Sequence, residues 1–516
     1  MAHQIQLTLT PEEAANSEIY IPKFAKNAGI NVDDIVKFQI TSRSIDARKP
    51  PVKVNMNAKL YTDIKDHDYI IEPFAAKDVS KAPEAIIVGA GPAGLFAALT
   101  FIEQGIKPVI IERGKRVGER KRDVAAISTK HYVDPDSNYA FGEGGAGTFS
   151  DGKLYTRSKK RGDIRRIYEL LYLHGAQEEI LYESQPHIGS DVLAQVVVNI
   201  RQTILDAGGT ILFQQRVTDL ITEGEQVTGV KLSDGRTMAA AAVVLATGHS
   251  ARDVYEMLQN RGVMLEAKGF ALGVRLEHPQ ELINQIQYHS NEPDPHLPPA
   301  SYKLVKQVDD RGVYSFCMCP GGFIVPAATA NDQLVVNGMS PSKRNGTYAN
   351  SGMVVELRTE DIPNAEGNPL AGIRYQEQLE KMAFMNGGQG QVAPAQGMAD
   401  FVNNRVSADM PENSYFPGLI SSPMHFWLPE HVSSRLKIAF KAFGKKMRGF
   451  LTNDALVIGL ESRTSSPVRI YRDKEALTSF PYDGLYPTGE GAGYAGGIVS
   501  SALDGVRVAR KIAETS

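Results

Sequence analysis

Residues 85–112 read AIIVGAGPAGLFAALTFIEQGIKPVIIE, and every other segment takes its place from this one. The apolar run at 85–88 suits a strand buried on both faces of a parallel sheet. Gly89, Gly91 and Gly94 follow as G-x-G-x-x-G. Pro92–Gln104 is rich in Ala, Leu and Phe at helical spacing and stops at Gly105, a C-cap residue. A second apolar strand, 108–111, then delivers Glu112. Each glycine has a physical job. Gly89 permits a tight turn, Gly91 lets a pyrophosphate approach the backbone, and Gly94 lets helix and strand pack closely. The helix N-terminus offers unpaired N–H groups and partial positive charge to phosphate. Glu112, 18 positions beyond Gly94, is placed to accept hydrogen bonds from ribose hydroxyls. A bare glycine triplet is weak evidence. Strand, glycines, helix, strand and acid in register predict a dinucleotide-binding βαβ unit.

The composition sets outer bounds. A chain of 516 residues holds about two to four domains. Its 42% hydrophobic and 22% charged residues are ordinary for a soluble globular protein. A net charge of −3 gives no general attraction to nucleic acid or anionic membranes. No apolar run is long enough to cross a bilayer, and MAHQIQLTLTPEE lacks a basic segment followed by an apolar core. The two cysteines, Cys317 and Cys319, are poorly spaced for a structural disulfide and few enough for a reducing compartment. A cytoplasmic protein is expected, with neither membrane nor nucleic-acid partner.

In chain order, residues 1–75 read as a small βαββ module of α+β type, ferredoxin-like. Its tip at 43–49 carries Arg43, Arg48 and Lys49, either a solvated turn or a docking point for an anion or a protein partner. Residues 76–84 form a linker. The basic run at 113–124 is a solvated face or a neighbour of the phosphates. Residues 141–154, FGEGGAGTFSDGKL, spend too many glycines for ordinary packing; they suit backbone lying against a flat ligand. A hairpin pair, 217–222 and 227–232, precedes a buried strand leading to Ala246-Thr247-Gly248-His249. Residues 265–460 break the α/β rhythm and read as an inserted β-rich domain. Within it, Cys317 and Cys319 are two buried thiols, a redox pair or, with no further Cys or His cluster, an unpromising metal site. A helix over 429–450 has the apolar stripe Leu436, Phe440, Phe443 and Met447. Residues 461–516 repeat the nucleotide-loop design: strand, Gly489-Glu490, glycines, then a small-residue helix from Ile498.

With both ends of the site in hand, GAGPAG at 89–94, FGEGGAGTFSDGKL at 141–154, ATGHSARD at 246–253, CMCPGG at 317–322, ESRTSSPVRI at 461–470 and GEGAGYAGG at 489–497 resemble the bacterial FAD-dependent dehydrogenases of unassigned substrate. The wider likeness is to the glutathione-reductase-type FAD fold. The resemblance implies an α/β chain with one FAD-binding Rossmann-like domain (85–264 and 461–516). An inserted α+β substrate domain interrupts it and the small N-terminal module precedes it. It implies FAD as cofactor and a redox role, and supplies no substrate. Hydride is expected to pass between FAD and an unidentified small molecule; with one dinucleotide fingerprint in the sequence, NAD(P)H, if it is the donor, would have to visit as a transient reductant. FAD contacts are expected from Gly89, Ala90, Gly91, Pro92, Ala93, Gly94, Glu112 and Arg113 in the first unit, and from Gly144, Gly145, Gly147 and Thr148 in the glycine-rich loop. Val217, Ala246, Thr247, Gly248, Gly489, Glu490, Gly496, Gly497 and Ile498 complete the set. Glu490 stands where most of the wider class has Asp. Beside the flavin, His249, Arg463 and Cys317 are the catalytic candidates, with Arg252 near them. Alternatives are a flavin monooxygenase, for which Asp151-Gly152 and Arg157 are a faint signal, and a non-catalytic FAD-binding sensor that docks through its N-terminal module.

Overall fold

The computed structural model describes residues 2–67, 70–156 and 162–515; Arg157 lies outside them. Strand Glu84–Val88, helix Pro92–Gln104 and strand Lys107–Ile111 form the βαβ unit, and Gly105 closes the helix in the left-handed conformation at φ 80°. They occupy the middle of a five-stranded parallel sheet in the order Leu485–Pro487, Val243–Leu245, Glu84–Val88, Lys107–Ile111, Thr210–Leu212. Its strands are covered on both faces, which is why they read as unbroken apolar runs. Helix Ile498–Thr515 lies against Pro92–Gln104 so closely that a Cβ on Gly505 would stand 2.1 Å from the Ala93 carbonyl oxygen. The last helix of the chain thus completes the layer that the first fingerprint begins. A three-stranded antiparallel sheet, Val217–Glu223, Gln226–Leu232 and Thr237–Ala239, carries the chain back to Val243–Leu245.

The inserted region is built on an eight-stranded sheet centred on Phe270–Pro279, which pairs antiparallel with Tyr348–Leu357 on one side and Leu456–Glu461 on the other. The long strand Arg311–Pro326 runs beyond Tyr348–Leu357. Helix Glu430–Lys446 buries Leu436, Phe440 and Phe443 in that domain's core, with Met447 just past its end. Core packing therefore accounts for the stripe.

The N-terminal module is an antiparallel sheet in the order Ala2–Leu9, Lys53–Tyr61, Lys37–Asp46, with helix Ser17–Ala28 packed on it through Phe24. This is a β-α-β-β order, with the short helix Pro11–Ala15 ahead of Ser17–Ala28; among the described residues of the module no α-helix or fourth strand follows Lys53–Tyr61. The basic tip needs correction. Arg43 lies inside strand Lys37–Asp46, its Nε 2.5 Å from Glu183 and its guanidinium over the Tyr182 ring at 5.3 Å. Its backbone N–H and C=O join Tyr182 and Ser184, and Arg48 pairs with Asp46. Two of the three charges are spent within the chain, one of them docking the module on the nucleotide domain. The segment at 76–84 is docked as well: Val79 is fully buried and donates its N–H to Ala207.

Candidate functional site

Gly89 (φ 106°) turns the chain off its strand, and a Cβ there would meet the Ala246 carbonyl oxygen at 2.5 Å. A Cβ on Gly94 would meet Gly89 O at 2.0 Å and the Ile87 side chain at 3.1 Å, so Gly94 is the helix–strand contact its spacing predicts. Gly91 is the helix N-cap and brings no side-chain cap. Pro92 has no N–H, and intrahelical bonding starts with Leu95 N–H to Gly91 O, which leaves the Ala93 and Gly94 donors free for an anion.

Glu112 does more than its spacing suggests. Its carboxylate accepts N–H groups from Ala90 at 2.8 Å, Gly114 at 2.9 Å and Gly142 at 2.9 Å. A carboxylate has about four acceptor directions, so it ties three loop segments together and keeps one direction for a ribose hydroxyl. Arg113 is engaged structurally: it pairs with Asp253 and Asp136 and lies over Phe141 at 4.5 Å.

The basic run forms helix Val117–Lys130, and its Arg120 is neither solvated nor phosphate-facing. It is fully buried and donates to the carbonyls of Asn138, Glu143 and Tyr139 at 2.8–2.9 Å. Burial lowers its pKa to about 10, still charged at neutral pH. A Cβ on Gly142 (φ 117°) would stand 2.4 Å from Arg120 Cδ. Glu143 takes the Val117 N–H at 2.7 Å and Arg201 at 2.8 Å, and the buried Thr148 hydroxyl donates to Glu143 O at 2.8 Å. Gly145 faces Gly91 and Gly147 faces Ile498. The glycine-rich loop is thus held rigidly between the two helix starts.

At the C-terminal strand ends, Ala246 N–H bonds Val88 O at 2.9 Å, and the Thr247–Gly248 turn (Gly248 φ 71°) runs against the return loop, where a Cβ on Gly491 would stand 2.5 Å from Gly248 O. Gly489 N–H donates to Asp504 at 2.8 Å, and Asp504 in turn holds Arg472 at 2.9 and 3.0 Å. Between these fixed points the Glu490 carboxylate makes no hydrogen bond to another described residue; its charged-group contact is His249 Nε2 at 3.8 Å. Burial raises it to about 7, opposed by Lys268. Gly248, Gly496 and Gly497 have open space where a Cβ would stand, and Val217 joins Val88 and Ile111 in the apolar cluster beneath. An unpartnered carboxylate, an uncapped helix N-terminus and bare backbone along the strand ends fit a dinucleotide with a polyol arm.

Toward the inserted domain, Arg463 bonds Ser250 next to His249, and His249 Nε2 lies 3.8 Å from Glu490. Arg463 spends its guanidinium on Glu380 (3.0 and 2.9 Å), Thr329, Gln333 and Ser250. It is a structural clamp rather than a free anion holder. Arg252 grips the same Glu380 at 2.8 and 2.9 Å. His249 is lowered to about 4 by burial, with Arg463 and Arg252 adding to the shift, and is neutral. Cys317 is partly exposed and Cys319 buried. Asp151 is buried between Lys153 at 3.0 Å and Arg344 at 2.6 Å. Sequence reasoning missed Arg120, Glu143, Glu380, Asp504 and Gly505.

Residues 84–338 match the family model for FAD dependent oxidoreductases, residues 269–464 that for the FAD-dependent protein C-terminal domain-like family, and residues 1–61 a domain of unknown function. A protein of Clostridium beijerinckii described as uncharacterized is 42% identical over 511 residues, 95% of each chain. The chain belongs to the FAD-dependent oxidoreductases. FAD is its cofactor. The digeranylgeranylglycerophospholipid reductase of Methanocella arvoryzae is 29% identical to this oxidoreductase over 173 residues, 32% of this chain and 39% of that one. Among solved structures, the geranylgeranyl bacteriochlorophyll reductase-like protein of Thermoplasma acidophilum aligns over 84% of this chain and 79% of its own at 14% identity and a TM-score of 0.35. No helix among the described residues is long and apolar enough to cross a membrane.

Proposed function

We infer that this oxidoreductase is a dehydrogenase or reductase that moves a hydride equivalent between FAD and a small molecule. The substrate binds between the cofactor loops and the inserted sheet, in the cytoplasm, and NAD(P)H visits as a transient donor. The observation that carries this reading is the unpartnered Glu490 carboxylate set between the return loop and His249. When bound, FAD supplies the two-electron chemistry. Glu490 would hold a ribityl hydroxyl, and the free N–H groups of Ala93 and Gly94 the pyrophosphate. His249, kept neutral, is able to hydrogen-bond a substrate without adding charge. Arg252, Glu380 and Arg463 together carry a net positive charge beside it, favouring an anionic substrate group. One five-stranded all-parallel sheet among the described residues supports a visiting rather than a resident nicotinamide. Residues 1–75 would serve a protein partner on the faces they do not dock. The test is anaerobic mixing of the purified protein with NADH and with NADPH while the flavin absorbance is followed. Bleaching by one donor supports the reading. No bleaching by either removes the nicotinamide, and oxidation of NADPH in air with peroxide release points instead to a monooxygenase.

A further inference from the structure

The two thiols sit where strand Arg311–Pro326 breaks its pairing with Tyr348–Leu357: the register shifts between Phe316 and Cys319 and again between Cys319 and Gly322. Such bulges re-aim side chains. Cys317 itself is left-handed at φ 44°, a conformation that strains a non-glycine residue and concentrates at functional sites. Cys319 Sγ–H donates to Cys317 O at 3.3 Å, and the neighbouring Cys319 side chain favours the thiolate of Cys317.

Inert structural thiols need only apolar neighbours, and this pair has cations. Lys153 Nζ lies 3.7 Å and Arg275 Nη2 3.4 Å from Cys319 Sγ, and Arg275 Nη2 also donates to Cys317 O at 2.7 Å. Lys153 comes from the glycine-rich loop and the fully buried Arg275 from the central strand of the inserted sheet, so the pair lies on the seam between cofactor domain and insertion. Glu461 offsets Arg275, and Asp151 is shared between Lys153 and Arg344. The shared proton and the two cations hold Cys317 well below the usual thiol range. Cys317 is near enough to Glu490 for its charge to oppose ionisation of that carboxyl.

We propose that Cys317 and Cys319 are a two-electron dithiol–disulfide couple that works with the FAD of this chain, Cys317 being the sulfur open to an external small dithiol or disulfide. The proposal rests on the flavin reading of the site. In the forward direction the thiolate and the thiol join in an S–S bond. Two electrons and the thiol proton pass together to FAD, so oxidised flavin becomes the reduced anion and charge is conserved. An external dithiol then restores the pair by two thiol–disulfide exchanges and leaves as its own disulfide.

The test uses the FAD-bearing full chain with dithiothreitol as probe. After exposure to air and denaturing alkylation, mass analysis is expected to find both cysteines unlabelled and the chain two hydrogens lighter. After anaerobic dithiothreitol both are labelled and the flavin is bleached. Cys319→Ser is expected to keep its flavin yet lose the bleaching. Lys153→Met is expected to move the pH profile of native Cys317 alkylation to higher pH, because one of the two cations that favour the thiolate is gone. Full labelling of both thiols in aerated, flavin-bearing protein, or bleaching of Cys319→Ser at the wild-type rate, would overturn the couple while leaving the flavin reading intact. A chain that binds no flavin would remove both.

Discussion

Glu380, on helix Ala371–Asn386 of the insertion, and Arg252, at the start of helix Arg252–Asn260 in the nucleotide domain, form a two-pronged ion pair at 2.8 and 2.9 Å. Arg463 closes on the same carboxylate from the returning chain, and Ser462 donates to it at 2.7 Å. One buried acid therefore fastens the insertion to the domain it interrupts, at both points where the chain passes between them.

Removing that charge leaves two guanidinium groups side by side, with only the more distant Glu377 carboxylate, 3.8 Å from Arg252, to offset them among the described residues. Glu380→Gln is expected to cost about 3–5 kcal/mol, the usual penalty for breaking a buried pair, read as a fall in the urea midpoint. The pH dependence has a definite sign. Arg463 and Arg252 overcome burial and hold the folded pKa at about 2, below the ordinary 4.5. The contribution is present above pH 4.5 and disappears as pH falls toward 2. Glu380→Gln should lack that part of the acid loss.

Glu490 behaves in the opposite sense. Its folded pKa of about 7 lies above the ordinary 4.5, so the FAD-free fold loses stability as pH rises from 4.5 through 7. Glu490→Gln should make the FAD-free protein more stable than wild type above about pH 7 and equal to it below about pH 4.5. The same substitution should weaken FAD about tenfold, near 1.4 kcal/mol, as a charged hydrogen bond becomes a neutral one. Melting curves of FAD-free protein and flavin titrations separate the two effects.

Arg120 and Gly142 set the shape of the glycine-rich loop. Gly142→Ala places a Cβ 2.4 Å from Arg120 Cδ at φ 117°, and Arg120→Met leaves the Asn138 and Tyr139 carbonyls without donors and Glu143 O with the Thr148 hydroxyl alone. Both variants are expected to fold with a lowered flavin-to-protein absorbance ratio. An unchanged ratio in both would show that the loop does not shape the cofactor site.

Gly505 lies far from any phosphate in sequence, yet Gly505→Val should abolish FAD retention, because its Cβ meets the Ala93 carbonyl oxygen at 2.1 Å and would part the two helices. Asp504→Asn, which weakens the hold on Arg472 and Gly489, should reduce retention less. Equilibrium dialysis against FAD ranks them.

The contrast between these residues shows what the chain makes legible. The βαβ unit could be read because its glycines, helix and acid lie within a 28-residue window at fixed spacing, and spacing is what one sequence displays. Arg120 sits in a run of charges that looks solvated, and nothing local says that three carbonyls wait for it. Glu380 and Arg463 are 83 positions apart and meet only through the insertion's topology. Asp504 alone left a trace: a lone acid inside a small-residue stretch, SSALDGVRVA, is out of place unless it is paired. Arg43 misled because a hairpin tip and a strand end differ by a few residues in the pattern, while the partner, Glu183, is 140 positions away.

The most direct measurement is the flavin content of the full chain purified without added cofactor, before and after supply of FAD. A yellow protein that reaches one equivalent of FAD is expected, with Gly505→Val remaining colourless while still folded. A colourless wild-type chain that is folded and takes up no FAD would contradict that expectation.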